Sequence, residues 1–299
     1  MQQIWLKKGF ILKRSKSNNL LKYHLGPATI YKVEGNIIKF FISCRNKNNH
    51  SFILYVKYDL KLKKYSVKKV YSPNKKSDFE KNGASYPVLF DEKNYKYLFF
   101  VGWSFNKKNN FNNHLLVNKN KELKFNNLHS RKVFKTSMIG SGSNYILKIK
   151  RTYYMWFTSF EKIEKKKFNL KYRYIIKLAK SNDLKNWKIN PTKCINFKNQ
   201  NEIAISKPSI IFKNGKFHMW YCYRGKYYKI GYATSKNGID WIRKDKKIRI
   251  SGKKYNWDNQ SMCYPSVSYL DNNKLIMIYS GNNYGKDGIG FCELEVNNL

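Results

Sequence analysis

The stretch "YKIGYATSKNGIDWIRKD", Tyr228 to Asp245, has an earlier counterpart in "YIIKLAKSNDLKNWKIN", Tyr174 to Asn190. Ala179, Ser181 and Trp187 match Ala233, Ser235 and Trp241, each pair 54 residues apart, and Asp183 aligns with Asn237. One offset held over several positions marks a repeated structural unit. Upstream of each copy lies an aromatic strand with Met-Trp, "YYMWFTSF" (Tyr153 to Phe160) and "FHMWYCYR" (Phe217 to Arg224). These are 64 residues apart, so the first unit carries extra residues, assigned to a loop insertion "EKIEKKKFNL", Glu161 to Leu170.

The aromatic strand recurs as "IIKFFISCR", "KYLFFVGW" and "KLIMIYSGN", which makes five units. In four of them an earlier strand follows a proline: Pro27, Pro87, Pro208 and Pro265; the third unit has "NYILKI" instead. Proline is tolerated where a strand ladder begins. Turn residues separate the first strand from the second, as in "VEGN", "DEKN", "KNGK" and "LDNN". Short strands at regular spacing, with no amphipathic helix between them, predict an all-β chain. Five such units fit a single domain over residues 1–299, a five-bladed β-propeller with a central channel. The blades are expected at about 20–75, 84–130, 134–192, 204–250 and 262–297, with residues 4–13 closing the last blade and protecting its edge.

Composition bounds the function. Hydrophobic residues are 42% of the chain and aromatics 17%, enough for a packed core of aromatic strands. The formal net charge is +42. An anionic partner (nucleic acid, an acidic glycan or a membrane surface) is one reading. Coding bias is the other, since the excess is mostly lysine spread along the chain. No DNA- or RNA-recognition motif is present, so no specific nucleic-acid partner is expected. The five cysteines form no C-x-x-C pair and read as free thiols in a reducing compartment. No run is long enough to span a membrane, and "MQQIWLKKGFILKRSKSNN" has no leader pattern, so a cytoplasmic location is expected. No metal-ligand cluster and no cofactor motif stands out.

In a propeller, residues before each first strand and at the end of each second strand surround one channel mouth. Acids there are informative because the chain has only 18. They are Asp78 and Glu80 before the second unit, Glu202 before the fourth and Asp258 before the fifth. Glu202, Asp258 and Glu80 are the acid candidates for chemistry at that mouth. Substrate-binding candidates are His24, Asp78, Lys207, Trp257 and Gln260 before first strands. Arg45, Trp103, Arg224 and Asn282 stand at second-strand ends, the two arginines read as equivalent in units one and four. An arginine fork can clamp a carboxylate or phosphate. Trp103 and Trp257 are read as lying at the mouth, whereas Trp156, Trp187, Trp220 and Trp241 are read as core.

The phrases "HLGPATI", "FFISCRN", "DFEKNGASYP", "AKSNDLKNW", "EIAISKP", "MWYCYRGKYYKIGYATSKNGIDW", "WDNQSMCYP" and "YSGNNYGKDGIG" together resemble the five-bladed propellers of glycoside hydrolase families 32, 43, 62, 68, 117 and 130. The likeness runs over roughly residues 20 to 293 and is strongest to bacterial members found with surface-polysaccharide genes. It implies a sugar-binding channel with carboxylates as acid and base; glycoside cleavage uses a pair of carboxyls, which makes Glu202, Asp258 and Glu80 the catalytic candidates and Trp103 and Trp257 candidate sugar platforms. The chain departs from the pattern where "KYHLGP" offers no acid at the first blade and Gln260 stands where relatives carry one. The expectation is a glycosidase-like, carbohydrate-active propeller acting on a bacterial surface glycan or its precursor, the substrate being anionic on the charge reading. A glycoside phosphorylase and a non-catalytic glycan-binding propeller are the alternatives. An anion or nucleic-acid binder ranks last.

Overall fold

The computed structural model describes residues 2–298 except 106–110, 120–121, 127, 135–138 and 163–171. Most of the expected insertion at Glu161 to Leu170 therefore lies outside the described residues. The strands fall into five antiparallel groups. Group one holds β2 His24–Glu34, β3 Ile37–Arg45, β4 Ser51–Asp59 and β5 Lys64–Tyr71; group two β6 Gly83–Glu92, β7 Tyr95–Trp103, β8 Asn112–Asn118 and β9 Arg131–Lys132. Group three holds β10 Ser141–Ile149, β11 Thr152–Lys162, β12 Tyr172–Ser181 and β13 Lys188–Ile189; group four β14 Ala204–Lys213, β15 Lys216–Arg224, β16 Tyr228–Ser235 and β17 Ile242–Arg243. Group five is β19 Cys263–Tyr269, β20 Lys274–Ser280 and β21 Gly288–Glu295, extended by β1 Gln3–Lys13 and by β18 Ile248–Ser251 parallel to β1.

Local chemistry explains the meanders. Two-residue turns join the first two strands of groups one to four, with φ above zero at Gly35, Lys93, Lys150 and both Asn214 and Gly215. Such turns match the twist of paired strands. The second strands are nearly all apolar and buried, for example Phe40 to Cys44 and Met219 to Cys222, because sheets cover both of their faces.

Packing joins the groups in sequence order. At least one core cluster sits between each successive pair, such as Phe41 and Ile53 against Leu98 and Phe100 between groups one and two. Trp156 and Ile176 meet Ile205 and Met219 between groups three and four. A further cluster returns from Ile278 and Ile289 of group five to Phe40 and Ile42 of group one. The first strands do the same: β2 packs on β6, β6 on β10, β10 on β14, β14 on β19, and β19 on β2.

The repeated Ala-x-Ser…Trp element is a local fold of its own. Ser181 and Ser235 hydroxyls bond the side chains of Asp183 and Asn237. Trp187 and Trp241 each donate Nε1 to the carbonyl three residues earlier, Leu184 and Gly238, both at 3.0 Å. Each indole is half-buried and meets a core aromatic edge-on, Phe99 at 6.1 Å and Trp156 at 6.2 Å. All five cysteines are buried and unpaired. No described helix is long and apolar enough to cross a membrane.

Candidate functional site

Every first strand carries a bulge at the same place, and β2 has a second irregularity between Ile30 and Lys32. Register shifts fall between Leu25 and Ala28, Ser85 and Val88, Ser141 and Asn144, Ser206 and Ser209, and Cys263 and Ser266. The extra residues are Gly26, Tyr86, Gly142, Lys207 and Tyr264, four of them directly before a proline. Tyr86, Lys207 and Tyr264 have φ of 53°, 52° and 57°, a left-handed backbone that bulky side chains rarely adopt. A bulge turns one side chain off the ladder, and such strain concentrates at functional sites. At Gly142 a Cβ would come within 3.1 Å of Thr158 Cβ, so this position stays bare.

Gly26, Tyr86, Gly142 and Tyr264 of the bulges line the first two of three adjoining depressions of about 230, 280 and 300 Å³. Tyr284 lines all three. Tyr86 and Tyr264 line the first two, and Arg224 and Tyr228 line the first and third. The first is walled by Tyr174, Phe160, Ser143 and Thr158, the second by His24, Arg45, Ser43 and Ser85, and the third by Lys226, Gln260 and Asn282. Among these lining residues there is no Asp or Glu.

Tyr284 projects from a single turn, α1 Asn282–Gly285, in which Asn283 (φ 51°, ψ 40°) and Tyr284 (φ 61°, ψ 29°) are both left-handed. Asn282 anchors the turn. Its Oδ1 accepts from the backbone N–H groups of Gln260 and Ser261, and its Nδ2 donates to Asn256 O and Asn259 Oδ1. Gly285, at φ +90°, lies so close to Leu25 that a Cβ would stand 2.5 Å from its carbonyl oxygen. Tyr284 is 46% exposed, and Arg224 Nη1 donates to its hydroxyl at 3.3 Å.

His24 Nε2 lies 3.2 Å from the carbonyl of Asn283, which only accepts, so Nε2 carries the proton. Nδ1 is left as a buried acceptor without a partner, and Arg224 Nε is a buried donor without one. Burial first, then the Arg45 charge, holds the His24 imidazole below its ordinary range. The mouth is therefore cationic, aromatic and rich in hydroxyls.

Lys207 departs from the expected place at the mouth. Its side chain runs from group four to group one, where Nζ donates to Thr29 Oγ1 at 3.1 Å. It is 1% exposed, and burial lowers its pKa to about 8.

The three acid candidates do not meet. Glu202 accepts both arms of Arg243 on β17, at 2.6 and 3.0 Å, and the N–H of Lys198. Asp258 accepts from Tyr279 and pairs with Lys7 on β1, both at 2.8 Å. Glu80 accepts from Tyr71 at the end of β5 and from Ser130, and burial raises its pKa. Each acid ties the loop before a first strand to a strand at or next to an outer edge, β17, β1 or β5, and none lines the depressions. Asp78 is exposed on the loop beside Glu80.

The two tryptophans expected at the mouth are buried. Trp103 donates Nε1 to Ser51 and Ser85, at 2.9 and 3.2 Å, and stacks on Phe111. Trp257 is stacked between Phe10 and Tyr279, with Gly281 and Gly290 making room for it. Apolar surface that large is favoured in the core over the wet mouth. The arginines are also not equivalent. Arg45 pairs with His24, one position before the bulge-flanking pair Leu25–Cys44, whereas Arg224 pairs with Ala204, two positions before Ser206–Cys222. Both nonetheless border the depressions, together with His24, Gln260 and Asn282.

Sequence reasoning missed Tyr86, Tyr174, Tyr228, Tyr264 and Tyr284. The residue before each proline was the available signal for Tyr86 and Tyr264. Nothing in the sequence marks Tyr284, which a strained turn delivers. Among the described residues no group of three or more His, Cys, Asp or Glu comes together in a metal-binding cluster.

No family model matches the chain. Two uncharacterised proteins of Mycobacterium tuberculosis, from strains CDC 1551 and H37Rv, are each 25% identical over 313 residues, covering 97% of this chain and 99% of theirs. Among solved structures, a glycoside hydrolase aligns with a TM-score of 0.76 at 14% identity, covering 96% of this chain and 90% of that one. The catalytic domain of a Coprinopsis cinerea family 62 α-L-arabinofuranosidase aligns at 0.70 and 11%, covering 99% and 98%. A thermostable family 43 glycoside hydrolase aligns at 0.66 and 16%, covering 91% and 89%. The chain is all-β and shares the fold of these proteins.

Proposed function

We propose that the chain is a five-bladed β-propeller of the glycoside-hydrolase type, a carbohydrate-active protein that takes an anionic sugar at the depressions around Tyr284. The five antiparallel groups, and core contacts that return from the fifth to the first, support the blade count. The likeness to glycoside hydrolase folds supports the ligand class. One observation carries the reading: Arg45, His24, Arg224 and an exposed tyrosine converge on joined depressions lined by no carboxylate. Tyrosine faces suit the C–H face of a pyranose, and guanidinium groups suit a carboxylate or phosphate on it. A bacterial surface glycan or its precursor, as the sequence resemblance implies, fits such a site.

Binding is better supported than cleavage by a carboxyl pair. Glu80, Glu202 and Asp258 are engaged by Tyr71, Arg243 and Lys7, away from the sugar's place. The test is a glycan array carrying matched neutral and uronic or phosphorylated sugars, with hydrolysis assayed on the same ligands. Acidic glycans are expected to bind, with affinity falling about tenfold or more in Arg45→Ala and Arg224→Ala. Equal binding of neutral and acidic glycans, unchanged in both variants, refutes the anionic class. Turnover that is lost in Glu202→Gln while folding persists returns that acid to the mechanism.

A further inference from the structure

The strands that carry the mouth at one end carry a second cavity at the other. It measures about 360 Å³, lies at the turn joining β14 to β15, and shares no lining residue with the depressions around Tyr284. Lys213, Lys216, Lys244 and Lys247 line it, and no Asp or Glu does. The carboxylate next in sequence, Asp245, is buried and taken by Lys198, Arg243 and Tyr221. It cannot neutralise the cavity.

The charges act on one another. Burial, then Lys216 and Lys247, hold Lys244 below the usual lysine range. On the wall, His218 bonds the Tyr232 hydroxyl through Nδ1 at 2.6 Å. Burial, then Lys216, Lys213 and Lys244, hold its pKa down to about 4. Four like charges around one cavity raise its energy unless an anion enters.

We propose that this cavity binds a compact polyanion with two linked phosphate groups, of the pyrophosphate type. Lysines act as point charges with freely turning donors, which suits tetrahedral phosphate oxygens. No guanidinium fork of the kind that matches a planar carboxylate lines the cavity. Four cations balance a diphosphate, where a single carboxylate leaves most of the repulsion in place. The site is independent of the sugar-binding reading.

The test is calorimetric titration of the full chain at about 0.15 M salt, where distant surface charges are screened. The probes are inorganic pyrophosphate and a nucleoside diphosphate; tighter binding of the second identifies the ligand as a nucleotide. The titrations are run on the Arg45→Ala, Arg224→Ala protein, which removes the guanidinium groups around Tyr284, and one ligand per chain is expected. The quadruple variant Lys213→Gln, Lys216→Gln, Lys244→Gln, Lys247→Gln is expected to lose about tenfold or more in affinity. A control, Lys61→Gln, Lys63→Gln, Lys64→Gln, Lys68→Gln, removes the same charge elsewhere and is expected to keep it. Equal loss in both variants, or uptake that never saturates at one ligand, overturns the proposal in favour of a general charge effect. In the wild type, pyrophosphate is also expected to move the His218 ring resonances and raise its pKa. An unmoved His218 overturns the proposal whatever the variants do.

Discussion

The loops before the first strands and the bulges inside those strands lie only a few residues apart, yet they do opposite work. The loops carry Glu80, Glu202 and Asp258, and all three bind a strand at or next to an outer edge. The bulges carry Tyr86, Lys207 and Tyr264, which leave the ladder; Tyr86 and Tyr264 reach the depressions, and Lys207 crosses from group four to group one. Closeness to a strand's start therefore does not decide which way a side chain faces. The irregularity within the strand does. Acids serve as staples and the bulges furnish the candidate site.

The largest expected effect tests the staples. Arg243→Ala strips the buried Glu202 and Asp245 of their shared cation and is expected to cost about 3–5 kcal/mol in urea unfolding. A cost near zero breaks the comparison, because Glu202 is then free to serve the mouth.

Acid titration comes next. His114 and His218 sit on the middle strands β8 and β15, away from the mouth, and burial is the main cause that holds each near pKa 4. Unfolding returns them to about 6.5. Between these values the unfolded chain binds more protons, so stability present above pH 6.5 is lost as the pH falls toward 4. Each contributes up to about 3 kcal/mol. Melting temperature is expected to drop over that window and to drop less in His114→Phe; equal slopes in the two proteins exclude His114.

Trp241→Ala is expected to cost about 2 kcal/mol, less than for a fully buried indole because the ring is half-exposed. Trp187→Ala should match it, since the two make the same hydrogen bond and the same edge-on contact. A large gap between them dissolves the structural repeat.

The smallest effect on stability lies at the mouth. Tyr284→Gly removes a side chain from a left-handed backbone and is expected to leave stability unchanged or raise it by about 1 kcal/mol. It is also expected to weaken glycan binding, because Tyr284 walls all three depressions. A clear loss of stability makes Tyr284 a staple too.

The all-β character was legible because strand residues, turn residues and the prolines recur at spacing that only short antiparallel strands satisfy. The Ala-x-Ser…Trp element was legible because its hydrogen bonds are local, within a few residues of each other. Of the candidate site, Arg45, Arg224 and Asn282 were marked by their position at second-strand ends and His24 and Gln260 by theirs before first strands, and all five border the depressions. The partners of Glu80, Glu202 and Asp258 were not legible. Arg243 stands 41 residues from Glu202, and Lys7 joins Asp258 from the far end of the chain.

The sequence by itself determined the strand type, the repeated unit and the cationic, tyrosine-rich stock from which a mouth can be made. Tertiary structure alone decided direction. A strand's period of two fixes which side chains share a face, but one inserted residue at each bulge reverses the order beyond it. Whether a carboxylate reaches the depressions or an arginine depends on which strand packing has brought beside it, and that contact has no local signature in the chain.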